Sequence, residues 1–250
     1  MSELLPEQLS ELLPELCPTL LPTMRLDKFI CKSTALARAE ARASIEAGAV
    51  IVNGEPVTDA SIQVHENNAI TLDGQRLQPR PSRYLMIHKP LDTVCSNIDE
   101  AYPSVLSGIG LDNADDLHIA GRLDADTTGL VLVTDDGRWS YNIITPQQRC
   151  EKVYRVSLRD PISETMIAQF AQGVGLQGEA ALTLPAQIAV INPKQVLLTI
   201  TEGRYHQVKR MFAAVGNRVT ALHRQQIGQL RLDIALGDWR YLTSDEVKAF

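Results

Sequence analysis

Short apolar runs with the composition of β-strands recur from Tyr84 to the C-terminus, and they constrain the fold more than any other feature. They are YLMIHKP, LVLVTDDG, KVYRVSL, AQIAVI and QVLLTITEG. Two segments with helical spacing, SETMIAQFAQG and HQVKRMFAAVG, lie among them. Because strands and helices do not alternate strictly, a doubly wound parallel sheet is disfavoured. The pattern predicts an α+β domain with a mixed, largely antiparallel sheet over residues 84–250.

Residues 24–80 predict a separate, smaller domain. RLDKFICKS and ARAEARASIEAG have the pattern of two helices, and the second ends at Gly48. AVIVNGEPV alternates around an Asn-Gly turn and predicts a hairpin, while NAITLDGQRL predicts another strand with an Asp-Gly turn. The proline-rich segment QPRPSR then reads as the linker to the larger domain.

The first 23 residues differ in composition from everything that follows. They contain four glutamates, four prolines and no basic residue. The prolines interrupt any helix, so we expect a flexible acidic tail, with Met24 as an alternative start of the protein. These glutamates account for most of the formal net charge of −6. The body is therefore near neutral, and only the local distribution of charge can indicate a polyanionic partner.

Cysteine usage and hydropathy exclude several classes of protein. The four cysteines, at positions 17, 31, 95 and 150, form no C-x-x-C pair, so neither a disulfide framework nor a zinc site is indicated. No apolar run approaches the ~18 residues of a membrane span. No cationic region precedes the N-terminal leucines, as a signal peptide would require. We expect a cytoplasmic protein that does not enter a membrane.

A first group of basic residues falls on the two helices predicted in the smaller domain. Only Asp27 and Glu40 oppose it in sequence. Residues four apart share a helix face, so the group predicts a phosphate-binding face, although a solvated helix surface is the alternative. The group consists of Arg25, Lys28, Lys32, Arg38 and Arg42.

A second group of basic residues lies within and just after the segment EGRYHQVKRMFAAVG, in which Gly203 precedes a predicted helix. Glu202 is the only acidic residue in this part of the sequence. The free amides and dipole of a helix N-terminus also favour an anion, so the group predicts a second contact surface for phosphate, with ordinary surface charge as the alternative. Its members are Arg204, His206, Lys209, Arg210, Arg218, His223 and Arg224.

Three motifs in the larger domain, HKPLDTVCS, GRLDADTTGLVLVTDDG and EGRYHQVKRMFAAVG, resemble those of the RsuA-type pseudouridine synthases. Residues 24–80 resemble the small RNA-binding domain known as the S4 domain. The resemblance covers Met24 to Phe250 and leaves out the first 23 residues. Two positions depart from the family pattern in the first motif: His88 stands where asparagine is usual, and Asp92 stands where glycine is usual.

The resemblance implies a role for each residue of the catalytic site. Asp124 would be the catalytic carboxylate, which either attacks the anomeric carbon or takes a proton from the neighbouring sugar carbon; both pathways stay open. Tyr154 would stack on the flipped base, Lys209 would balance the charge of Asp124, and Arg122 would steer the flipped nucleotide. Asp126 reads as a loop or capping residue rather than a second catalyst.

The two glycines of the catalytic motif are interpreted together. We expect Gly121 and Gly129 to let the backbone pass close to the substrate, because glycine lacks a Cβ and tolerates unusual conformations. Tyr205 and His206 of the third motif read equally well as RNA contacts or as packing residues.

The resemblance also implies the partner. The resemblance is strongest to the small-subunit enzymes, so the expected substrate is the uridine at position 516 of 16S rRNA. The RNA would be either free or part of an assembling small ribosomal subunit. We expect the enzyme to act as a monomer without a metal ion or an organic cofactor. Large-subunit enzymes of the family share the motifs and remain an alternative.

Two other functions compete with this interpretation. DADTT fits the D-x-D-x-T signature of magnesium-dependent phosphotransferases of the haloacid dehalogenase type, but there the signature follows a parallel strand in a doubly wound sheet. A non-enzymatic RNA-binding assembly factor would explain the basic helices, but it would not need an intact G-R-L-D segment.

Overall fold

A computed structural model describes residues 23–65, 67–111 and 114–250, which form two compact units, one ending at Pro81 and one beginning at Ser82. The expected acidic tail lies outside the described residues, apart from Thr23. Each unit has its own hydrophobic core, as a domain requires.

The smaller unit contains the two expected helices, α1 (Leu26–Ser33) and α2 (Arg38–Glu46). Both predicted tight turns are present, because Asn53–Gly54 and Asp73–Gly74 all have the positive φ angles of a type I′ turn. The described residues of this unit also contain six short strands: β1 (Met24–Arg25), β2 (Val50–Val52), β3 (Glu55–Pro56), β4 (Gln63–Val64), β5 (Ile70–Leu72) and β6 (Gln75–Arg76). Strand β1 pairs with β4, and the other four form a sheet in the order β3-β2-β5-β6.

A nine-stranded sheet is the frame of the larger unit. Its main path runs β11-β12-β10-β13-β9-β7-β15, with β14 on β13 and β8 on β9. Every described pairing in it is antiparallel except β9–β13, which confirms the α+β class and the mixed, largely antiparallel sheet. The strands are β7 (Tyr84–Lys89), β8 (His118–Ala120), β9 (Thr128–Thr134), β10 (Lys152–Leu158), β11 (Gln187–Asn192), β12 (Gln195–Ile200), β13 (Val219–Ile227), β14 (Leu230–Arg231) and β15 (Trp239–Tyr241).

Side chains alternate along these strands and divide between two apolar cores. Leu85 and Ile87 of β7 belong to one core, while Met86 between them belongs to the other. Helices α4 (Glu164–Gln172) and α5 (Gln207–Ala214) pack in the first core, and α3 (Gly137–Ile144) packs in the second. The last helix, α6 (Ser244–Lys248), also contributes to the second core through Val247.

The segment Asp135-Asp136-Gly137 by itself predicts a turn, but helix α3 begins there instead. Asp136 is the N-cap of α3 and accepts hydrogen bonds from the amides of Arg138 and Trp139. Asp135 is fully buried and pairs with Arg83, Nε to Oδ2 at 3.0 Å. The two carboxylates therefore start a helix and join it to β7, rather than closing a hairpin.

The parallel pairing of β9 with β13 positions the loop before β9. This loop, residues 121–127, carries the GRLDADT part of the catalytic motif and is called the motif loop below. Arg224 lies opposite Gly129, whose φ is +118°, and an added Cβ would overlap the carbonyl oxygen of Arg224. The missing side chain of Gly129 therefore admits the backbone of the neighbouring strand, and a close approach of this backbone to the substrate stays a prediction. Glycine at this position lets β13 approach the beginning of β9.

Candidate active site

A cavity of about 660 Å³ opens where the loop between β8 and β9 meets β10 and the N-terminus of α5. This volume lies within the ~300–1,000 Å³ range of small-molecule sites. Asp124, Arg122, Tyr154, Lys209 and His206 all line it, so tertiary folding brings together residues from three separate parts of the sequence.

The carboxylate of Asp124 lies between two basic side chains of the third motif. Lys209 Nζ is 2.7 Å from Oδ2, and His206 Nε2 is 3.4 Å from Oδ1. The Asp124 side chain is 28% exposed, which leaves it open to the cavity. The pairing of Asp124 with Lys209, 85 positions apart, supports the countercharge role expected from the resemblance.

Lys209 bridges two carboxylates, because its Nζ also donates to Oδ1 of Asp126. Burial would lower the pKa of Lys209, but the hydrogen bonds to Asp124 and Asp126 outweigh it and raise the pKa above its ordinary value. The same hydrogen bond lowers the pKa of Asp126. Asp126 is 72% exposed, against 28% for Asp124, and this difference supports Asp126 as a loop residue that helps to hold the lysine.

Tyr154 forms a wall of the cavity from the middle of β10. Its side chain is buried, and its hydroxyl lies 3.3 Å from Nη1 of Arg224 on β13. The ring is fixed by the sheet and by this neighbour, which suits a surface for base stacking. Arg122, the residue expected to steer the nucleotide, is exposed at the cavity and contributes its carbonyl to the contacts of Arg224.

Arg224 is a functional candidate that sequence reasoning placed only in a surface group. It is 1% exposed. Its guanidinium donates to the carbonyl oxygens of Gly121 and Leu130, each at 2.8 Å, so it ties both ends of the motif loop to β13. The sequence gives no signal that Arg224, one of several neighbouring basic residues, is buried. The register of β13 decides on which face of the sheet its side chain lies.

Lys89, at the end of β7, holds the middle of the same loop and was also missed. It is fully buried, and its Nζ donates to the carbonyl oxygens of Pro90 and Thr127, each at 2.9 Å, and of Ala125 at 3.3 Å. Burial lowers its pKa. Two buried cations, Lys89 and Arg224, thus fix the backbone on either side of Asp124.

Arg204 and Arg210, expected to bind RNA, both pair with Glu179, a residue from the loop after α4. Each guanidinium has an Nη1 2.6 Å from a Glu179 carboxylate oxygen. Arg204 also pairs with Glu202 at 3.1 Å. This part of the surface is therefore less positive than its sequence suggests, because a carboxylate 25 positions away neutralises it. RNA contact through Arg204 and Arg210 stays a prediction.

The basic group of the smaller unit is organised around one buried carboxylate. Asp27 is fully buried, and Arg25, Arg38 and Arg42 all bond to its oxygens at 3.0–3.2 Å. Burial alone would raise the pKa of Asp27, but the three guanidinium groups lower it to about 2. Three cations against one anion leave a positive surface that is preorganised for phosphate, and RNA binding by it stays a prediction.

The two lysines of that group differ in accessibility. Lys28 is half-buried, whereas Lys32 is only 5% exposed. The expectation that Lys32 lies on an accessible face with the arginines is therefore wrong, because the helix turns its side chain away from solvent.

Among the described residues, no group of three or more His, Cys, Asp or Glu side chains is arranged to hold a metal ion. No helix within residues 23–65, 67–111 and 114–250 has the length and apolar character to cross a membrane.

Comparison with known proteins agrees with this geometry. Residues 83–214 match the family model for RNA pseudouridylate synthase, and residues 24–78 match the model for the S4 domain. The chain is similar to ribosomal small subunit pseudouridine synthase A of Vibrio cholerae, with 48% identity over 226 residues, 90% of this chain and 98% of that protein.

Two further similarities cover as much of the chain. The protein of the same name from Salmonella typhimurium is 50% identical over 227 residues, 90% of this chain and 98% of its own. A crystal structure of a pseudouridylate synthase is 45% identical, covers 90% of this chain and 99% of its own, and superposes with a TM-score of 0.67.

Proposed function

Because the chain belongs to the RNA pseudouridylate synthase family, we propose that it converts one uridine of 16S rRNA to pseudouridine, with Asp124 as the catalytic carboxylate. The family acts as isomerases on uridine in RNA, and the resemblance recognised in the sequence is confirmed. The observation that carries the assignment of Asp124 is its ion pair with Lys209, 2.7 Å long, inside a cavity walled by Tyr154.

The reaction breaks the bond between N1 of uracil and C1′ of the ribose, turns the base and joins its C5 to C1′; C5 loses a proton to solvent and N1 gains one, so the product is an isomer of the substrate. Asp124 can serve this reaction by attacking C1′ or by taking a proton from C2′. Both pathways need an ionised carboxylate, and the ammonium group of Lys209 lies 2.7 Å from Asp124 Oδ2 as its countercharge.

A uridine can meet Asp124 only after it leaves the RNA stack. The cavity is large enough to receive it, and Tyr154 offers a flat, fixed surface for the base. Arg122, exposed at the cavity, is suited to contact the flipped nucleotide or its phosphate. Lys89 and Arg224 hold the loop, so Asp124 needs little reorganisation when substrate enters.

Substrate choice follows from the relatives, which are named as small-subunit enzymes. The smaller unit supports RNA binding through the three arginines that surround Asp27. We assign the uridine at position 516 of 16S rRNA as the target. Mapping pseudouridines in rRNA from a deletion strain tests this assignment: one small-subunit pseudouridine should vanish and return with the wild-type gene but not with Asp124→Asn. Loss of a large-subunit pseudouridine instead would overturn it.

The phosphotransferase alternative is not favoured by the topology. DADTT follows β8, which pairs antiparallel with β9, whereas that class needs a parallel strand before the signature. Both of its carboxylates, on Asp124 and Asp126, bind Lys209. An assembly factor without activity would leave the pseudouridine map of a deletion strain unchanged.

The cellular setting belongs to the same proposal. Cys95 and Cys150 are thiols outside any disulfide bond, which suits a reducing compartment such as the cytoplasm. We infer that one chain acts alone on the RNA, because the residues assigned to catalysis all come from a single larger unit.

A further inference from the structure

Tyr205 is the most exposed large aromatic side chain at the cavity. It is 73% exposed, although it immediately precedes His206, which contacts Asp124. One face of its ring stacks on His206, with centroids 3.8 Å apart and planes inclined by 18°. The pair therefore forms a flat aromatic surface beside the catalytic carboxylate.

The backbone around this pair is held in place from several sides. His206 has a φ of +47°, a left-handed conformation that non-glycine residues rarely adopt. The carbonyl oxygen of Tyr205 accepts a hydrogen bond from Arg210 Nη1 at 3.0 Å, and Arg210 is itself fixed by Glu179. A side chain presented from such a turn loses little conformational freedom when a ligand stacks on it.

We propose that the exposed face of Tyr205 is a stacking subsite for the nucleobase adjacent to the target uridine. This inference rests on the proposed function. When the uridine leaves the RNA stack, its neighbour loses a stacking partner. Tyr205 lies close enough to Asp124, through His206, for a neighbouring base to reach it while the target occupies the cavity.

A base is the ligand that fits this chemistry. Every nucleobase has a π-face, and stacking on aromatic side chains needs no fixed pattern of hydrogen bonds. The exposed cation Arg122 lines the same cavity and suits a phosphate that flanks the base. The opposing explanation is that Tyr205 only orients His206 toward Asp124, which predicts an effect on rate and not on binding.

The test compares Tyr205→Ala and Tyr205→Phe on a 16S rRNA fragment that contains the target uridine. Tyr205→Ala should weaken binding roughly 5- to 150-fold, which corresponds to ~1–3 kcal/mol. Tyr205→Phe keeps the ring and should bind within about twofold of wild type. Tyr241→Ala removes another exposed tyrosine, 48% exposed and outside the cavity, and should leave binding unchanged.

The decisive measurement repeats the titration with RNAs in which the nucleotide before or after the target is abasic. With one of these RNAs, wild type and Tyr205→Ala should bind equally, because the base that stacks is gone. If Tyr205→Ala lowers the RNA affinity equally on the intact RNA and on both abasic RNAs, the subsite is overturned. It is also overturned if Tyr205→Ala binds RNA as wild type does and only its single-turnover rate is slower. If wild-type protein forms no pseudouridine in 16S rRNA, the proposed function fails. If it does and Tyr205→Ala binds normally, only this inference fails.

Discussion

Arg224 lies over the ring of Tyr154, with its Cζ atom 5.9 Å from the ring centroid and Nη1 3.3 Å from the hydroxyl oxygen. The same guanidinium donates to the carbonyl oxygen of Gly121, three residues before Asp124. One buried side chain thus connects Tyr154, a wall of the cavity, to the loop that carries Asp124. Its removal should affect stability and activity together.

Arg224→Lys should lower the free energy of unfolding by ~2–5 kcal/mol, because one Nζ cannot replace the separate Nε and Nη2 donors to Leu130 and Gly121 and leaves buried acceptors unpaired at ~1–3 kcal/mol each. Arg155→Lys, at an exposed arginine on the adjacent strand, should change stability by less than about 0.5 kcal/mol. Urea unfolding followed by tryptophan fluorescence measures this change, because both tryptophans lie in the larger unit. Equal stability of the two variants would contradict the role of Arg224.

Asp124→Asn should lower the rate of isomerisation by several powers of ten, because the amide keeps the shape but lacks the charge and the nucleophilicity. RNA binding should stay nearly intact. Asp126→Asn is the matched control, since it changes the other carboxylate on Lys209, and it should stay within about tenfold of wild type. Tritium release from RNA labelled at uridine C5 measures both rates; activity of Asp124→Asn within tenfold of wild type would refute the assignment.

Asp27 should titrate far below an ordinary aspartate, near its pKa of about 2. Because the folded-state pKa is depressed, its stabilising effect is complete above the unfolded value of about 3.9 and disappears as the pH falls through 2; its full size is about 2 kcal/mol. NMR titration of the Asp27 side-chain carboxyl measures the midpoint directly. Arg42→Ala should shift the midpoint upward, and a wild-type midpoint at or above 4 would show that the guanidinium groups do not act on Asp27.

Arg38→Gln should weaken RNA binding and reduce the slope of log affinity against log salt by roughly one, as expected for one lost phosphate contact. Glutamine is preferable to charge reversal, because a glutamate here would face the buried Asp27. Arg159→Gln is a matched control at an arginine of similar exposure, 57% against 58%, that also pairs with an aspartate. Similar slopes for the two variants would mean that the arginines around Asp27 form only a solvated surface.

Isomerisation should continue in the presence of EDTA, because the proposed chemistry uses only Asp124 and its neighbours. The RNA must first be folded in monovalent salt, since magnesium also stabilises RNA structure. Turnover that stops in EDTA and returns with magnesium would instead favour the phosphotransferase interpretation of DADTT.

The sequence by itself determined the tight turns and most of the helices, because these elements depend on residues that are close together in the chain. The positive φ angles at Asn53–Gly54 and Asp73–Gly74 follow from the tolerance of asparagine, aspartate and glycine for that conformation. Helices α1, α2, α4 and α5 fall where the apolar spacing predicts them. The catalytic motif identifies Asp124 by resemblance, before any contact with Lys209 is known.

Only the tertiary structure decided which charged residues are buried and what they bind. Lys89, Asp27 and Arg224 look like surface residues in the sequence, yet all three are buried and hold other groups in place. Glu179 pairs with two arginines, although it lies too far away in the sequence to be counted with the residues near them. The physical reason is distance along the chain: Arg224 meets Gly121 across 103 positions, through the parallel contact of β9 with β13. Local periodicity carries no information on which distant strands become neighbours.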